Sequence, residues 1–228
     1  MANLDWPAFS DALWLVNDRL GIPPEWQLAV MYLESSLDPS SMNSGGCSGL
    51  NQLCPGTYEK YVSVPVNVYR TWSASAQLSG PVFAYWRDAL SHGSIDSPAR
   101  LMLAQLGQAR LGSATPPNTV VFSSPSQEYA QNSWLDAAHK GYITMQDLSN
   151  VLAQKARAPA VQDALARVYA MRGEQVTPPL TVPKAGLVAV TVGALALVVA
   201  AGYGAYKVFA AQAPEPEQIP VSFRRRFP

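Results

Sequence analysis

The sequence has few charged residues and no net charge, and both facts exclude classes of protein. Only 14% of its 228 residues are Asp, Glu, Lys or Arg, and 16 basic residues balance 16 acidic ones. Proteins that bind nucleic acid usually carry a basic excess, so the zero balance argues against that partner. Two cysteines are too few for a disulfide-rich scaffold. The opening Met-Ala-Asn-Leu-Asp-Trp has neither the basic nor the apolar part of a signal peptide.

A long stretch without charged side chains lies towards the C-terminus. Residues 185–206 are 22 positions without an acid, Lys, Arg or His. A helix of this length spans about 33 Å, enough for the hydrocarbon core of a bilayer, so we predict a transmembrane helix at 184–207. A buried core helix is the alternative, but such a helix normally keeps a polar stripe. Small residues four apart, such as Ala189 and Gly193, indicate a helix face for self-association.

Proline and arginine flank this segment. Residues 177–183 contain three prolines and predict an extended linker. Residues 208–228 predict an irregular basic tail, with three consecutive arginines at 224–226. Basic residues favour the inner side of a membrane, so we expect a single-pass membrane protein with the domain of residues 1–176 on the outer side.

Residues 1–176 have the pattern of one mostly α-helical globular domain. Apolar residues recur three and four positions apart from Trp6 to Leu20, which predicts a helix between an N-cap at Asp5 and a stop at Gly21. Two prolines would then open a second helix that ends near Glu34. Further helices are predicted at 75–91, 97–111, 144–155 and 159–172, and at most a short strand at 119–123.

The most informative part of the sequence runs from Glu34 to Pro55. It contains, in order, Glu34-Ser35, Pro39, Gly46, Gly49-Leu50, Gln52 and Pro55. This pattern resembles the soluble, goose-lysozyme-like type of lytic transglycosylase. That family has a Glu-Ser pair, a Pro five residues after the Glu, a Gly-rich turn, Gly-Leu-x-Gln and a nearby Pro. The resemblance covers about an eighth of the chain and implies a lysozyme-like fold.

Glu34 suits an acid catalyst on physical grounds. It is expected at the C-terminal end of an apolar helix, where the helix dipole and burial both disfavour a charged carboxylate. Both effects predict a raised pKa for Glu34. A glutamic acid that stays protonated near neutral pH can give its proton to a glycosidic oxygen. The alternative is an ordinary surface glutamate near a helix end.

The resemblance implies peptidoglycan as the substrate and a reaction without water. Glu34 would protonate the oxygen between N-acetylmuramic acid and N-acetylglucosamine. The substrate's own N-acetyl group would stabilise the cation at the anomeric carbon, and the muramoyl 6-hydroxyl would then close a 1,6-anhydro ring. By the same resemblance Ser35 would orient Glu34, and Gly49, Leu50 and Gln52 would line the sugar groove. Neither a metal nor a cofactor is implied.

Several positions depart from the family pattern. Cys47 stands where the family usually has Ala, and Asn51 and Cys54 stand where it has Met. We expect two buried thiols, and a Cys47–Cys54 bridge is the alternative that needs an oxidising compartment. The family's later Tyr-Asn-x-Gly element is not evident near residues 104–108, and Asp38 suits a turn better than a second catalytic carboxylate. A hydrolytic lysozyme and a non-catalytic virion or envelope scaffold therefore remain alternatives.

Residues 136–147 resemble a degenerate EF-hand loop. Asp136, Gly141 and Asp147 take loop positions 1, 6 and 12, but positions 3 and 5 hold Ala138 and Lys140 in place of oxygen ligands. A bound cation would meet the Lys140 ammonium, so we predict a turn that binds no Ca²⁺. Related segments follow transglycosylase domains in phage proteins, and this resemblance favours a virus of bacteria as the source.

Overall fold

The structure is a computed structural model that describes residues 4–112 and 116–173. These residues are 59% helical and 6% strand, so the prediction of a mostly α domain is confirmed. None of the helices within them has both the length and the hydrophobicity needed to cross a membrane. The linker predicted at 177–183, the transmembrane helix at 184–207 and the tail at 208–228 lie outside the described residues.

The described residues form ten α-helices, two short 3-10 turns, one π-helical turn and two β-strands. The helices are Trp6–Leu20 (α1), Pro24–Ser35 (α2), Tyr58–Tyr61 (α3), Val66–Tyr69 (α4), Ala74–Gln77 (α5), Phe83–Ala89 (α6), Pro98–Gly107 (α7), Gln127–Asn132 (α8), Met145–Ala156 (α9) and Pro159–Arg172 (α10). The π turn is Leu78–Val82, the 3-10 turns are Gln108–Arg110 and Ser133–Leu135, and the strands are Val120–Ser123 (β1) and Tyr142–Thr144 (β2).

The first two helices begin and end where local chemistry predicts. The Asp5 side chain accepts a hydrogen bond from the N–H of Ala8 at 3.3 Å and caps α1. Gly21 ends α1 in the left-handed conformation, with φ of 70°. Prolines at the start of α2 set its first turn, and the helix runs to Ser35, one residue beyond Glu34.

Helix α2 lies at the centre of the domain. The side chains of Leu28, Ala29, Val30 and Met31 are completely buried. The helix packs against α1, α7, α9 and α10, so apolar neighbours surround most of it. Because burial of each large apolar side chain contributes about 1.5–3 kcal/mol, this packing fixes the position of the last turn of α2, which carries Glu34.

The helix predicted at 75–91 is interrupted, so the prediction of one continuous helix is wrong. Helix α5 ends at Gln77, a π turn follows over Leu78–Val82, and α6 begins at Phe83. Pro81 lies in the π turn. Proline has no N–H to give to the helix and its ring crowds the preceding turn, which explains the change of helical type at this point.

The two strands form a small antiparallel sheet beside the helices. β1 pairs with β2 through Phe122 opposite Ile143 and Ser123 opposite Tyr142. The side chains of Phe122 and Ile143 are buried in the core. The sequence left open whether residues 119–123 form sheet, and the structure has the strand Val120–Ser123 there, paired with a strand inside the EF-hand-like segment.

The EF-hand-like segment is held together by its own side chains. The Asp136 carboxylate accepts hydrogen bonds from the N–H groups of Lys140 at 3.0 Å and Gly141 at 2.7 Å, and from the Tyr129 hydroxyl at 3.0 Å. Burial alone would raise the pKa of Asp136, but these hydrogen bonds outweigh it, and the pKa lies below its usual value. The Lys140 ammonium lies 2.8 Å from the Asp147 carboxylate.

Replacing Asp147 with Ala is expected to lower the free energy of unfolding by about 1–3 kcal/mol. One oxygen of Asp147 accepts from the Thr144 N–H, the Thr144 hydroxyl and the Lys140 ammonium, and this capping box starts α9. Denaturant unfolding at neutral pH measures the loss. Asp163→Ala, at an exposed position on α10, is the control and is expected to change the free energy by less than about 0.5 kcal/mol.

The same variant makes a pH-dependent prediction. Burial would raise the pKa of Asp147, but hydrogen bonds from Lys140 and Thr144 outweigh it and hold the folded pKa below the usual value. The stabilisation is therefore complete above the unfolded pKa of about 3.9 and is lost as the pH falls through the folded pKa. The difference between wild type and Asp147→Ala should shrink in acid. A difference that stays constant down to about pH 2.5 would contradict this.

Candidate functional site

An open groove of about 400 Å³ runs between two segments that are far apart in the sequence. Residues 52–57, with Lys60 and Tyr61, form one wall, and residues 105–109 form the other, together with Tyr85 and His92. The lining is mostly amide, aromatic and apolar. Lys60 is its only Lys, Arg, Asp or Glu, and His92 is its only histidine.

Glu34 lies in the last turn of α2, with its side chain half-buried. It is not among the residues that line the groove, and its link to the groove is Tyr85. The pKa of Tyr85 is raised, chiefly by burial and further by the charges of Tyr61, Glu34 and Asp88. Glu34 is thus one of several charges to which this residue of the groove wall responds.

Backbone strain is concentrated around the same residues. Four non-glycine residues among the described ones have a positive φ, and three of these are Ser36 at 56°, Leu37 at 63° and Gln52 at 46°. The left-handed conformation costs an L-residue roughly 1–2 kcal/mol. Such strain persists where the surrounding structure enforces it, and it clusters at functional sites. Two of the strained residues follow the helix turn of Glu34, and the third lines the groove.

Gln52 lines the groove, as the sequence pattern predicts for it. Its side chain is almost completely buried, and its amide nitrogen donates to the carbonyl of Gly49 at 2.9 Å. Its amide oxygen accepts no hydrogen bond from the described residues. A buried acceptor without a donor is costly, and here it lies on a strained residue beside a groove. A substrate-binding role for Gln52 stays a prediction.

Gly49 and Leu50 lie in the core, and neither is among the lining residues. A Cβ on Gly49 would meet the Gln77 amide oxygen at 2.5 Å and the Tyr69 hydroxyl at 2.6 Å. Leu50 has no exposed surface, and its N–H donates to the same Gln77 oxygen at 3.0 Å. The substrate-binding role that the resemblance implies for these two residues stays a prediction. The glycine is needed because buried side chains of α4 and α5 approach its backbone closely.

Ser35 directs its hydroxyl into its own helix. The hydroxyl donates to the Met31 carbonyl at 2.9 Å, and the side chain is buried. Its single proton is therefore used within α2, and a role in orienting Glu34 stays a prediction. The Asp38 carboxylate accepts from the N–H and the hydroxyl of Ser40, which agrees with the turn expected there.

Two departures from the family pattern are partners in space. The Asn51 amide nitrogen donates to the Gln105 amide oxygen at 3.1 Å, and the Gln105 amide nitrogen donates to the Asn51 carbonyl at 2.7 Å. Asn51 replaces the family's Met, and Gln105 lies where the Tyr-Asn-x-Gly element is missing. This reciprocal pair joins the two walls of the groove. Neither Asn51 nor Gln105 by itself predicts this pairing from the sequence.

Cys47 and Cys54 form a disulfide, with the sulfurs 2.01 Å apart. The expectation of two free thiols is therefore wrong, and the bridged alternative is the observed one. The reason is a tight return of the chain, because Ser48 and Leu53 exchange both backbone hydrogen bonds and bring the two cysteines together. The bridge closes the loop of residues 47–54, and Cys54 lines the groove.

Replacing both cysteines with Ser is expected to lower the free energy of unfolding by about 2–3 kcal/mol, the loop-closure effect of a short disulfide loop. Denaturant unfolding with and without a thiol reductant measures it. Reductant should destabilise the wild type by the same amount and leave the Cys47→Ser, Cys54→Ser variant unchanged. A wild type that is insensitive to complete reduction, verified by thiol titration, would contradict the structural role given to the bridge.

An ion pair with hydrogen-bonded neighbours lies along the groove wall. The Lys60 ammonium is 2.7 Å from the Asp88 carboxylate, and the Tyr61 hydroxyl donates to the same oxygen at 2.6 Å. The hydrogen bond from Lys60, followed by that from Tyr61, holds the pKa of Asp88 below its usual value. The Tyr61 hydroxyl also lies 3.5 Å from the Gln108 amide oxygen of the other wall, where the Gln108 amide nitrogen donates to the Tyr85 carbonyl at 2.8 Å. Sequence analysis missed this cluster.

No protein-family model, curated protein sequence or solved structure matches the chain.

Proposed function

We propose that this chain is a peptidoglycan lytic transglycosylase that cleaves the β-1,4 bond between N-acetylmuramic acid and N-acetylglucosamine. The observation that carries the proposal is the motif from Glu34 to Pro55, which begins in the last turn of the buried helix α2 and brings Gln52 into the lining of the groove. Gln52 lines the groove, and the charge of Glu34 acts on Tyr85 in its wall. Between them Ser35, Pro39, Gly46 and Gly49-Leu50 match the family's pattern in order and spacing, while Cys47 and Asn51 depart from it. On this proposal, residues 1–176 form a lysozyme-like domain.

The lining of the groove supports a sugar ligand. Gln52, Gln105 and Gln108 bring amides to it, and Tyr61 and Tyr85 bring phenol rings. Amides exchange hydrogen bonds with hydroxyl and N-acetyl groups, and aromatic rings pack against the apolar faces of sugar rings. A volume of about 400 Å³ falls in the range of known ligand sites.

Glu34 is the acid and then the base of the proposed reaction. Its carboxyl proton passes to the glycosidic oxygen as the bond from C1 of the muramoyl unit breaks, while the N-acetyl carbonyl oxygen bonds to C1. The Glu34 carboxylate next takes the proton of the 6-hydroxyl. O6 then bonds to C1 and the N-acetyl oxygen leaves. The product has a 1,6-anhydro end, no water is consumed, and Glu34 is protonated again.

We propose a membrane anchor at 184–207 that holds the domain against the cell wall, with the small-residue face at Ala189 and Gly193 open to self-association. The resemblance of residues 136–147 to segments of phage proteins supports a virion protein. Its task would be local opening of the wall for genome delivery. A host envelope protein with the same activity is the cellular form of this proposal.

Purified sacculi test the proposed activity. The full chain in detergent is expected to release soluble muropeptides with 1,6-anhydro ends, which are one water lighter than muropeptides with reducing ends. A hydrolytic lysozyme on the same scaffold would release reducing ends. A non-catalytic scaffold would bind the sacculi and release nothing. Mass spectrometry of the soluble fraction, against a sample without protein, distinguishes the three.

A further inference from the structure

Lys60 is the one Lys, Arg, Asp or Glu among the residues that line the groove, and its counter-ion Asp88 is not among them. A neutral sugar polymer has no anionic group that a cation could bind. The placement of the Lys60 cation among the lining residues therefore points to a ligand with a negative group.

Lys60 is held in place and still presents its charge. Its ammonium contacts Asp88 at 2.7 Å and lies 5.2 Å from the centre of the Tyr61 ring. The side chain nevertheless keeps 59% of its surface exposed. An ammonium has three N–H donors, and Asp88 accepts from one of them. The contact with Asp88 thus fixes where the cation stands along the groove without burying it.

We propose that Lys60 determines specificity by binding a carboxylate attached to the muramoyl unit of the glycan. The inference rests on the proposed function and deepens it. In peptidoglycan the sugar rings and N-acetyl groups are neutral, and negative charge enters through the carboxylates of the peptide or, where no peptide is attached, through the lactyl carboxylate. His92, exposed at the same groove, adds a second basic group. Lys60 is a positioning group for the substrate and takes no part in the proton transfer.

Binding in a catalytically inactive background tests this. Glu34→Gln is combined with Lys60→Gln, with Lys60→Arg, or with Lys155→Gln as a matched loss of a lysine on α9, away from the lining residues. Each protein is titrated with three polymers: glycan strands that carry peptides, strands stripped of peptides that keep the lactyl carboxylate, and neutral glycol chitin. Digestion of sacculi by the wild type is measured in parallel, and it tests the proposed function independently of the binding experiment.

Lys60→Gln should weaken binding to peptide-bearing strands about fivefold and leave binding to glycol chitin unchanged. Lys60→Arg should keep most of the affinity, Lys155→Gln all of it, and added salt should reduce the difference. The lactyl carboxyl is a neutral amide wherever a peptide is attached, so a loss confined to peptide-bearing strands assigns the carboxylate to the peptide, and a loss shared by stripped strands shows that Lys60 binds a carboxylate of either source. Equal loss on all three polymers, no loss on any, or no glycan binding at all would overturn the inference.

Discussion

The Glu34→Gln variant is expected to cleave peptidoglycan at least about 100-fold more slowly than the wild type, because proton transfer by a placed acid contributes roughly 10²–10⁴-fold. Gln has nearly the shape of Glu but no transferable carboxyl proton. The expected loss therefore falls on the rate of cleavage and leaves glycan binding in place. Release of labelled fragments from sacculi measures the rate, and co-sedimentation with intact sacculi measures binding.

Glu25→Gln is the matched control for this variant. Glu25 lies in the first turn of the same helix, α2, and its carboxylate accepts a hydrogen bond from the Tyr169 hydroxyl at 3.2 Å. The same change of charge at the other end of the helix should leave the cleavage rate within about twofold of wild type. Equal losses from both variants would indicate a general effect on folding and not a lost acid.

The largest effect on stability is expected from Gly49→Ala, which should lower the free energy of unfolding by about 2–4 kcal/mol. The added Cβ would lie 2.5–2.6 Å from buried atoms of Gln77 and Tyr69. Neither side chain has exposed surface into which it could move. The φ of Gly49, 80°, adds strain for any residue with a Cβ. Denaturant unfolding of the full chain measures the change.

Gly80→Ala separates this effect from a general cost of losing a glycine. Gly80 lies in the π turn, and a Cβ there meets no atom within 4 Å. Its substitution should change the free energy of unfolding by less than about 0.5 kcal/mol. If Gly49→Ala were equally mild, the close packing of the 47–54 loop against α4 and α5 would be contradicted.

The helical framework could be predicted because local rules decide it. Asp5 and Gly21 have side-chain and backbone properties that act within one helical turn, and the structure confirms both ends of α1. The apolar spacing of α1 likewise needs only neighbours in the sequence. The end of α2 at the Glu34 turn follows from the same kind of information.

The parts that could not be predicted depend on contacts between distant residues. Gln77 is an ordinary glutamine in the sequence, yet its buried amide accepts from the Leu50 N–H and donates to the Pro39 carbonyl. The pairing of Asn51 with Gln105 joins positions 54 apart in the sequence. Each of these contacts forms only after the loop of residues 47–54, α5 and α7 have packed together, so no local sequence pattern predicts it.

End-group analysis of sacculi digested in H₂¹⁸O is the most direct test that Glu34 transfers a proton to the glycan without the use of water. The account predicts 1,6-anhydro ends that carry no ¹⁸O in the wild-type digest and that are missing from the Glu34→Gln digest. Ends labelled with ¹⁸O would show hydrolysis, and equal yields from the two proteins would remove Glu34 from the chemistry. Either result would contradict the account.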